Sequence, residues 1–247
     1  MTRVAIIAAM EGELRPLVRG WQRESRNGVD LWRRRHGGGE WIAACAGAGA
    51  QAAARAFAEA GRDGALDLAV SVGWAGALRA EFAAGRAYRV AGVIDAETGE
   101  RFTVPDSPGG CWLVTSRGVA GRAQKRLLAE AYGAGLVDME AAAVARLARE
   151  RAVRFCCIKG VSDGAEEGLP DFNGFFSADG RFQWARFIPF AVARPWHWPA
   201  LMRMGRDSRE AARAVGESLL GFLDRKGADA GGGAGPDPGE RAAADPQ

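Results

Sequence analysis

The chain has 247 residues, with 33 basic and 30 acidic residues interspersed to a net charge of +3. That is enough length for one sizeable domain and cramped for two. The balance leaves no basic stripe for nucleic acid, and no apolar run reaches the ~18 to 20 residues of a membrane span.

The first apolar run, residues 4–9, reads as a strand that leads into Glu11 and Glu13 with no basic leader before it, so a cytoplasmic protein is expected. A helical pattern follows at 13–20. Strands are predicted at 41–46, 66–72, 88–94, 111–115, 136–138 and 155–161, and helices at 50–60, 122–132 and 141–150. This alternation predicts an α/β protein, a three-layer α/β/α sandwich around a mixed, largely parallel sheet. Cys45, Cys111, Cys156 and Cys157 lack CxxC spacing, which argues against a disulfide or zinc site. His36 and His197 lack ligand spacing, and Arg33, Arg34 and Arg35 read as an exposed strand edge.

Residues 169–205 carry Phe172, Phe175, Phe176, Phe182, Trp184, Phe187, Phe190, Trp196 and Trp198 among Arg and Pro. The segment reads as an irregular lid packed on the domain. A second reading makes it an apolar entrance for a large or lipid-like substrate, in peripheral contact with a membrane surface. A helix over 206–224 closes the fold, because Ala211, Val215, Leu219, Leu220 and Leu223 recur at helical spacing. Residues 1–226 thus form one domain including the lid. Residues 227–247, dominated by Gly, Ala, Asp and Pro, are expected to be a disordered tail.

The segments 136–138, 141–150 and 155–161 read together as a βαβ unit with parallel strands. In a right-handed unit the helix start and the end of the second strand share one sheet edge, the edge where open α/β folds bind ligands. Glu140 and Asp163 are therefore predicted neighbours at one pocket. Gly47 and Gly49 precede a helix, where their backbone either approaches a ligand or makes a tight turn.

Four segments in order, Val4 to Glu13, Gly47-Ala48-Gly49-Ala50, Ser71-Val72-Gly73-Trp74-Ala75-Gly76, and Asp138-Met139-Glu140-Ala141 with Val161-Ser162-Asp163, carry a resemblance. With them the chain resembles the nucleoside phosphorylase / 5′-methylthioadenosine and S-adenosylhomocysteine nucleosidase family over residues 4 to about 165. Ala193-Arg194-Pro195, Pro199-Ala200-Leu201 and Arg206-Asp207 are similar to the carboxy-terminal part of the hopanoid-associated phosphorylases, which are associated with removing adenine from adenosylhopane. The resemblance implies cleavage of the N-glycosidic bond of an adenine nucleoside, lipid-linked in the hopanoid case. It implies no metal and no cofactor, with phosphate as an optional co-substrate, and a homo-oligomer.

Breaking such a bond builds positive charge on the sugar and negative charge on the base, so an acid is needed near the base and a carboxylate near the ribose. By resemblance Asp163 donates a proton toward N7 with Ser162 positioning it, Glu140 accepts the ribose hydroxyls, and Met139 packs on the sugar. Glu13 holds the attacking water, Gly49, Gly73 and Trp74 lie near the ribose, and Val119 falls near the base-stacking position. For Asp163 to hold a proton near neutral pH its pKa must rise by several units from ~3.9, which burial behind an apolar strand is expected to supply.

The chain departs from its relatives at three positions. Gly12 stands where the nucleosidases have a second Glu, Ser71 where phosphorolytic members have Arg, and Trp74 where they have a small hydroxyl residue. The last two remove phosphate contacts and lean the reaction toward hydrolysis, with Arg15 or Arg117 as candidate replacements for the lost charge. The short stretch between Ile94 and Cys111 and the aromatic lid favour an open pocket and a bulky substrate. The alternatives are a methylthioadenosine/S-adenosylhomocysteine nucleosidase and a non-catalytic nucleoside-binding protein.

Overall fold

A computed structural model describes residues 2–36, 38–107, 109–167 and 170–231. The chain begins with β1 (Arg3–Ala8), α1 (Glu11–Leu14), β2 (Gln22–Arg26), β3 (Val29–His36), β4 (Gly39–Cys45) and α2 (Ala50–Ala60). It continues through β5 (Leu68–Ser71), β6 (Trp74–Ala77), β7 (Ala87–Asp95), β8 (Arg101–Thr103), β9 (Cys111–Thr115) and α3 (Arg122–Tyr132). It ends with β10 (Leu136–Asp138), α4 (Ala141–Glu150), β11 (Arg154–Asp163), α5 (Trp184–Val192) and α6 (Trp198–Gly231).

Along β1 successive side chains serve opposite faces. Val4, Ile6 and Ala8 pack with Leu14, Val215, Leu219 and Phe222, which places α1 and α6 on one side of the sheet. Ala5 and Ile7 pack with Ala53, Phe57, Val144 and Ala148, which places α2 and α4 on the other. The result is the predicted three-layer sandwich. The close seat of α6 depends on Gly160 in β11, where an added Cβ would lie 2.9 Å from the Ala211 side chain.

The strands run in the order β2-β3-β4-β1-β5-β11-β6-β10-β9-β7-β8, with a further pairing between β11 and β7. β4, β1, β5 and β11 form a parallel spine. Beyond it the sheet curls. The long strand β11 pairs with β5 up to Cys157, then with β6 from Gly160 on the same edge and with β7 on the other. The ring β11-β6-β10-β9-β7 is thereby closed. Ala75, Ala77, Val90, Leu113, Leu136 and Val161 of the ring pack with Ala141, Ala142 and Ala145 of α4.

This curl overturns the predicted βαβ geometry. β6 lies between β10 and β11, parallel to β11 but antiparallel to β10, so the two strands do not form a parallel unit. The short, small-residue Trp74–Ala77 strand has no apolar periodicity to betray it. Other departures have similarly local causes. α1 stops at Leu14, not at residue 20, because Pro16 lacks an N–H and crowds the residue before it. β2 is wholly polar, an edge strand whose pairing with β3 leaves no sequence pattern.

The segment expected to be irregular holds α5, which forms despite Pro189, and the start of α6. Residues 227–231 of the predicted tail continue α6. Its remainder, 232–247, lies outside the described residues.

Candidate active site

One cavity is walled by the segments that follow β1, β4, β9 and β10, by β6 and the last residues of β11, by Lys125 of α3, and by Phe176 of the aromatic segment. Glu13, Trp74, Val119, Met139, Glu140, Ser162 and Asp163 all line it. The two remaining predicted residues, Gly49 and Gly73, brace it through their backbones. Glu140 and Asp163 therefore do share a site, though not by the parallel crossover that predicted it.

Glu13 is buried, and its carboxylate is held by three backbone N–H groups. Ala9 and Met10 donate to Oε2 at 2.8 Å each, and Trp74 donates to Oε1 at 2.7 Å. A carboxylate has about four acceptor directions, so one is left to face the cavity. Gly73 allows this approach. Its φ is +121°, and a Cβ there would lie 2.6 Å from Glu13 Oε1. Burial pushes the Glu13 carboxyl above its ordinary range, against the three N–H groups and the charge of Lys159.

Glu140 stands at the start of α4 and accepts the Gly49 N–H at 2.7 Å. Burial pushes its carboxyl up to about 8, helped by the neighbouring Asp138 charge and opposed by Lys159. Asp138 is itself committed: Lys159 Nζ lies 2.8 Å from Oδ2, Thr115 donates to Oδ1 at 2.7 Å, and the Ala141 N–H donates to Oδ2 at 2.9 Å. Lys159 is fully buried and also donates to the Val72 carbonyl at 3.1 Å. Burial pulls its ammonium down, but the surrounding groups, Asp138 foremost with Cys157 and Glu140, together hold it above the ordinary lysine range. A buried cation thus sits beneath Asp138 and Glu140.

Asp163 receives the Ser162 hydroxyl on Oδ1 at 2.7 Å and the Lys125 ammonium on Oδ2. Lys125, buried in α3, also donates to the Gly164 carbonyl at 2.7 Å and lines the cavity. Asp163 is therefore half of an ion pair, not the isolated carboxyl in an apolar setting that the sequence suggested. Both lysines escaped sequence reasoning, yet a signal existed. Of 33 basic residues only Lys125, Lys159 and Lys226 are lysine, and two of the three lie at this site. Lysine offers a compact point charge where guanidinium would not fit.

The candidate phosphate ligands do not reach the cavity. Arg15 pairs with Glu11 and Arg117 with Glu97, both exposed, and Ser71 is fully buried in β5. Trp74 is anchored by its indole N–H to the Ser208 carbonyl of α6 at 2.8 Å. Its ring occupies the space beside Gly12, where a Cβ would meet it at 3.1 Å. Positions 12 and 74 are thus sterically linked, since the indole needs the missing side chain at Gly12.

The aromatic segment is tied across the pocket. The Ala48 N–H donates to the Gly180 carbonyl at 2.7 Å. The Asn173 carboxamide pairs with the backbone of Val119, accepting its N–H at 2.8 Å and donating to its carbonyl at 3.1 Å. Val119 thus presents a donor and an acceptor side by side at the cavity, and Asn173 fills both.

Comparison with known proteins agrees with this architecture. The apo 5′-methylthioadenosine nucleosidase of Arabidopsis thaliana has a TM-score of 0.69 at 17% identity, covering 91% of this chain and 96% of that one. The 5′-methylthioadenosine/S-adenosylhomocysteine nucleosidase of S. pneumoniae with a transition-state inhibitor scores 0.68 at 19% identity, covering 90% and 98%. Futalosine hydrolase of Helicobacter pylori scores 0.64 at 14% identity, covering 91% and 98%. The comparison with curated proteins found no match. The family model of the Phosphorylase superfamily matches residues 3–114 and 108–186, more than half of the chain, and the protein belongs to that superfamily.

Proposed function

We propose that the chain hydrolyses the N-glycosidic bond of an adenine nucleoside. The observation that carries this reading is the meeting of Glu13, Glu140 and Asp163, from three distant parts of the chain, around one cavity. In the proposed reaction the C1′–N9 bond breaks with its electron pair passing to the purine. A proton from the Asp163–Lys125 pair reaches N7. Glu140 accepts the ribose hydroxyls and supports the growing positive charge on the sugar. Water attacks C1′ from the side of Glu13, whose free acceptor direction takes its proton.

Hydrolysis is favoured over phosphorolysis by the charges. Among the described residues no arginine lines the cavity, and the two lysines are committed to Asp163 and Asp138. Phosphate as co-substrate thus has no evident cradle.

Adenine is favoured by the Val119 edge. A carboxamide oxygen and amino group match the ring-nitrogen acceptor and exocyclic amino donor of adenine, whereas hypoxanthine offers the opposite pattern. Asn173 occupies the place that an adenine edge would take, so Asn173→Ala should lower KM for an adenine nucleoside roughly five- to tenfold with kcat little changed. Steady-state kinetics of the two proteins would check it. An increased KM would mean that Asn173 contacts substrate instead.

The pH profile follows from Glu140. Accepting ribose hydroxyls requires its ionised form, so kcat/KM should rise with pH through about 8, the value for the free protein. Glu140→Gln should lose that limb along with most of the activity.

For the 5′ substituent we favour a bulky apolar group, as in adenosylhopane, because Phe176 opens the cavity toward the aromatic segment. 5′-Methylthioadenosine is the second reading, after the nucleosidases that share the fold. Retention of three carboxylates with organised partners argues against a non-catalytic binding protein. Release of free adenine from both substrate types, with and without phosphate, tests the proposal.

A further inference from the structure

Six of the exposed large apolar residues lie together on α5, the turn after it and the start of α6. They are Trp184, Ile188, Val192, Trp196, Trp198 and Met202, with exposures from 47% to 69%. Trp184, Ile188 and Val192 recur every four residues, as do Trp198 and Met202, so each helix turns one apolar stripe outward. The opposite stripe of α5 is used internally, since Phe187 and Phe190 pack with Phe175. The charge here differs from that of the rest of the chain. Residues 181–206 hold five arginines and no acidic residue; Arg181 and Arg206 pair with the flanking Asp179 and Asp207, which leaves Arg186, Arg194 and Arg203 as the local positive charge.

The stripe is also joined to the pocket. Phe176, on the cavity wall, stacks edge-on with Phe182 at 5.2 Å, and Phe182 stacks with exposed Trp184 at 4.8 Å. An unbroken aromatic path runs from cavity to surface. Among the described residues no helix is long and apolar enough to cross a membrane, which leaves contact within the interface plane.

We propose that α5 and the first turns of α6 are a docking face for an anionic lipid surface, seating the cavity mouth against the bilayer. Tryptophan prefers the headgroup boundary, aliphatic side chains enter below it, and arginine pairs with anionic headgroups. A second copy of the chain fits less well. A two-fold contact sets each patch against itself, with Arg186, Arg194 and Arg203 facing their own copies and no carboxylate paired with them among the described residues. The docking face stands independently of the proposed activity. Together with that activity it gives a route for an amphiphilic nucleoside, its base in the cavity and its tail along the aromatic path.

The test is sedimentation of the full chain with vesicles of phosphatidylcholine alone and of phosphatidylcholine mixed with phosphatidylglycerol. The mixed vesicles should bring down the protein, at least tenfold more tightly than the neutral ones and less tightly as salt rises. The triple variant Ile188→Ser, Trp196→Ser, Met202→Ser should bind at least tenfold more weakly. So should Arg186→Glu with Arg203→Glu, a second variant that keeps the apolar stripe, with thermal melting confirming that both fold. Equal binding of variants and parent would overturn the proposal, as would a parent that stays in the supernatant. It would equally fall if the parent were a dimer through this face that the serine variant splits, or if the face held an acidic protein and no lipid.

Discussion

Asp163→Asn is expected to lower adenine release by roughly 10² to 10⁴-fold, the usual worth of a positioned acid, and to lower the melting temperature as well, because the buried Lys125 ammonium loses its carboxylate. The side chain keeps its shape and its bond from Ser162, and Lys125 still has the Gly164 carbonyl. What is lost is the group that passes a proton to the departing base. Lys125→Met separates this role from simple ion pairing. It leaves Asp163 and Ser162 in place, so a shift in the pH dependence of kcat, not only in stability, is expected if the pair acts as a unit. Unchanged adenine release by Asp163→Asn would remove the residue from the chemistry. Initial rates with a 5′-substituted adenosine, read beside a thermal melt, give both quantities.

The second large effect concerns stability. Lys159→Met should destabilise the protein by about 3 to 5 kcal/mol, because it leaves the Asp138 carboxylate buried without its cation. For a chain of this size that corresponds to a fall of about 10 °C in melting temperature. Adding Asp138→Asn should recover part of the loss, since the stranded charge is then removed. Asn keeps an acceptor for Thr115, though not the full bonding of the carboxylate. Lys159 also opposes the upward push on Glu140 and Glu13. Its removal should therefore move the rise of kcat/KM to higher pH in whatever protein remains folded. Chemical or thermal unfolding of the two single variants and the double variant measures the coupling.

Much of this site is legible in the sequence where apolar pattern and motif coincide. The Val-Ala-Ile-Ile run of β1, the alanine ladder of α2 and the apolar run of β11 declare themselves through period and length. The acids that follow those strands then fall at one end of the sheet. Glu13, Glu140 and Asp163 fall together in this way, yet the strands that carry the last two are not the parallel neighbours that their sequence order suggests. Two adjacent segments in sequence looked like a simple crossover, and only long-range pairing shows β6 wedged between them. A four-residue strand with two alanines and a glycine carries no period from which to read that. The lysines were hidden for another reason. Whether a cation in a helix or strand faces water or a carboxylate depends on partners 21 or more residues away, Asp163 for Lys125 and Asp138 for Lys159. The Asn173–Val119 pairing is of the same kind, a contact between two loops that no local pattern encodes.

The central claim, that this cavity cleaves an adenine nucleoside with water, is tested most directly by one measurement. Purified protein is incubated with a 5′-substituted adenosine in phosphate-free buffer, and free adenine is quantified over time. The account predicts many turnovers per chain, with adenine and free sugar in equal amounts and a rate that added phosphate does not raise. Stoichiometric binding with no adenine, or release that appears only when phosphate is supplied, would contradict it.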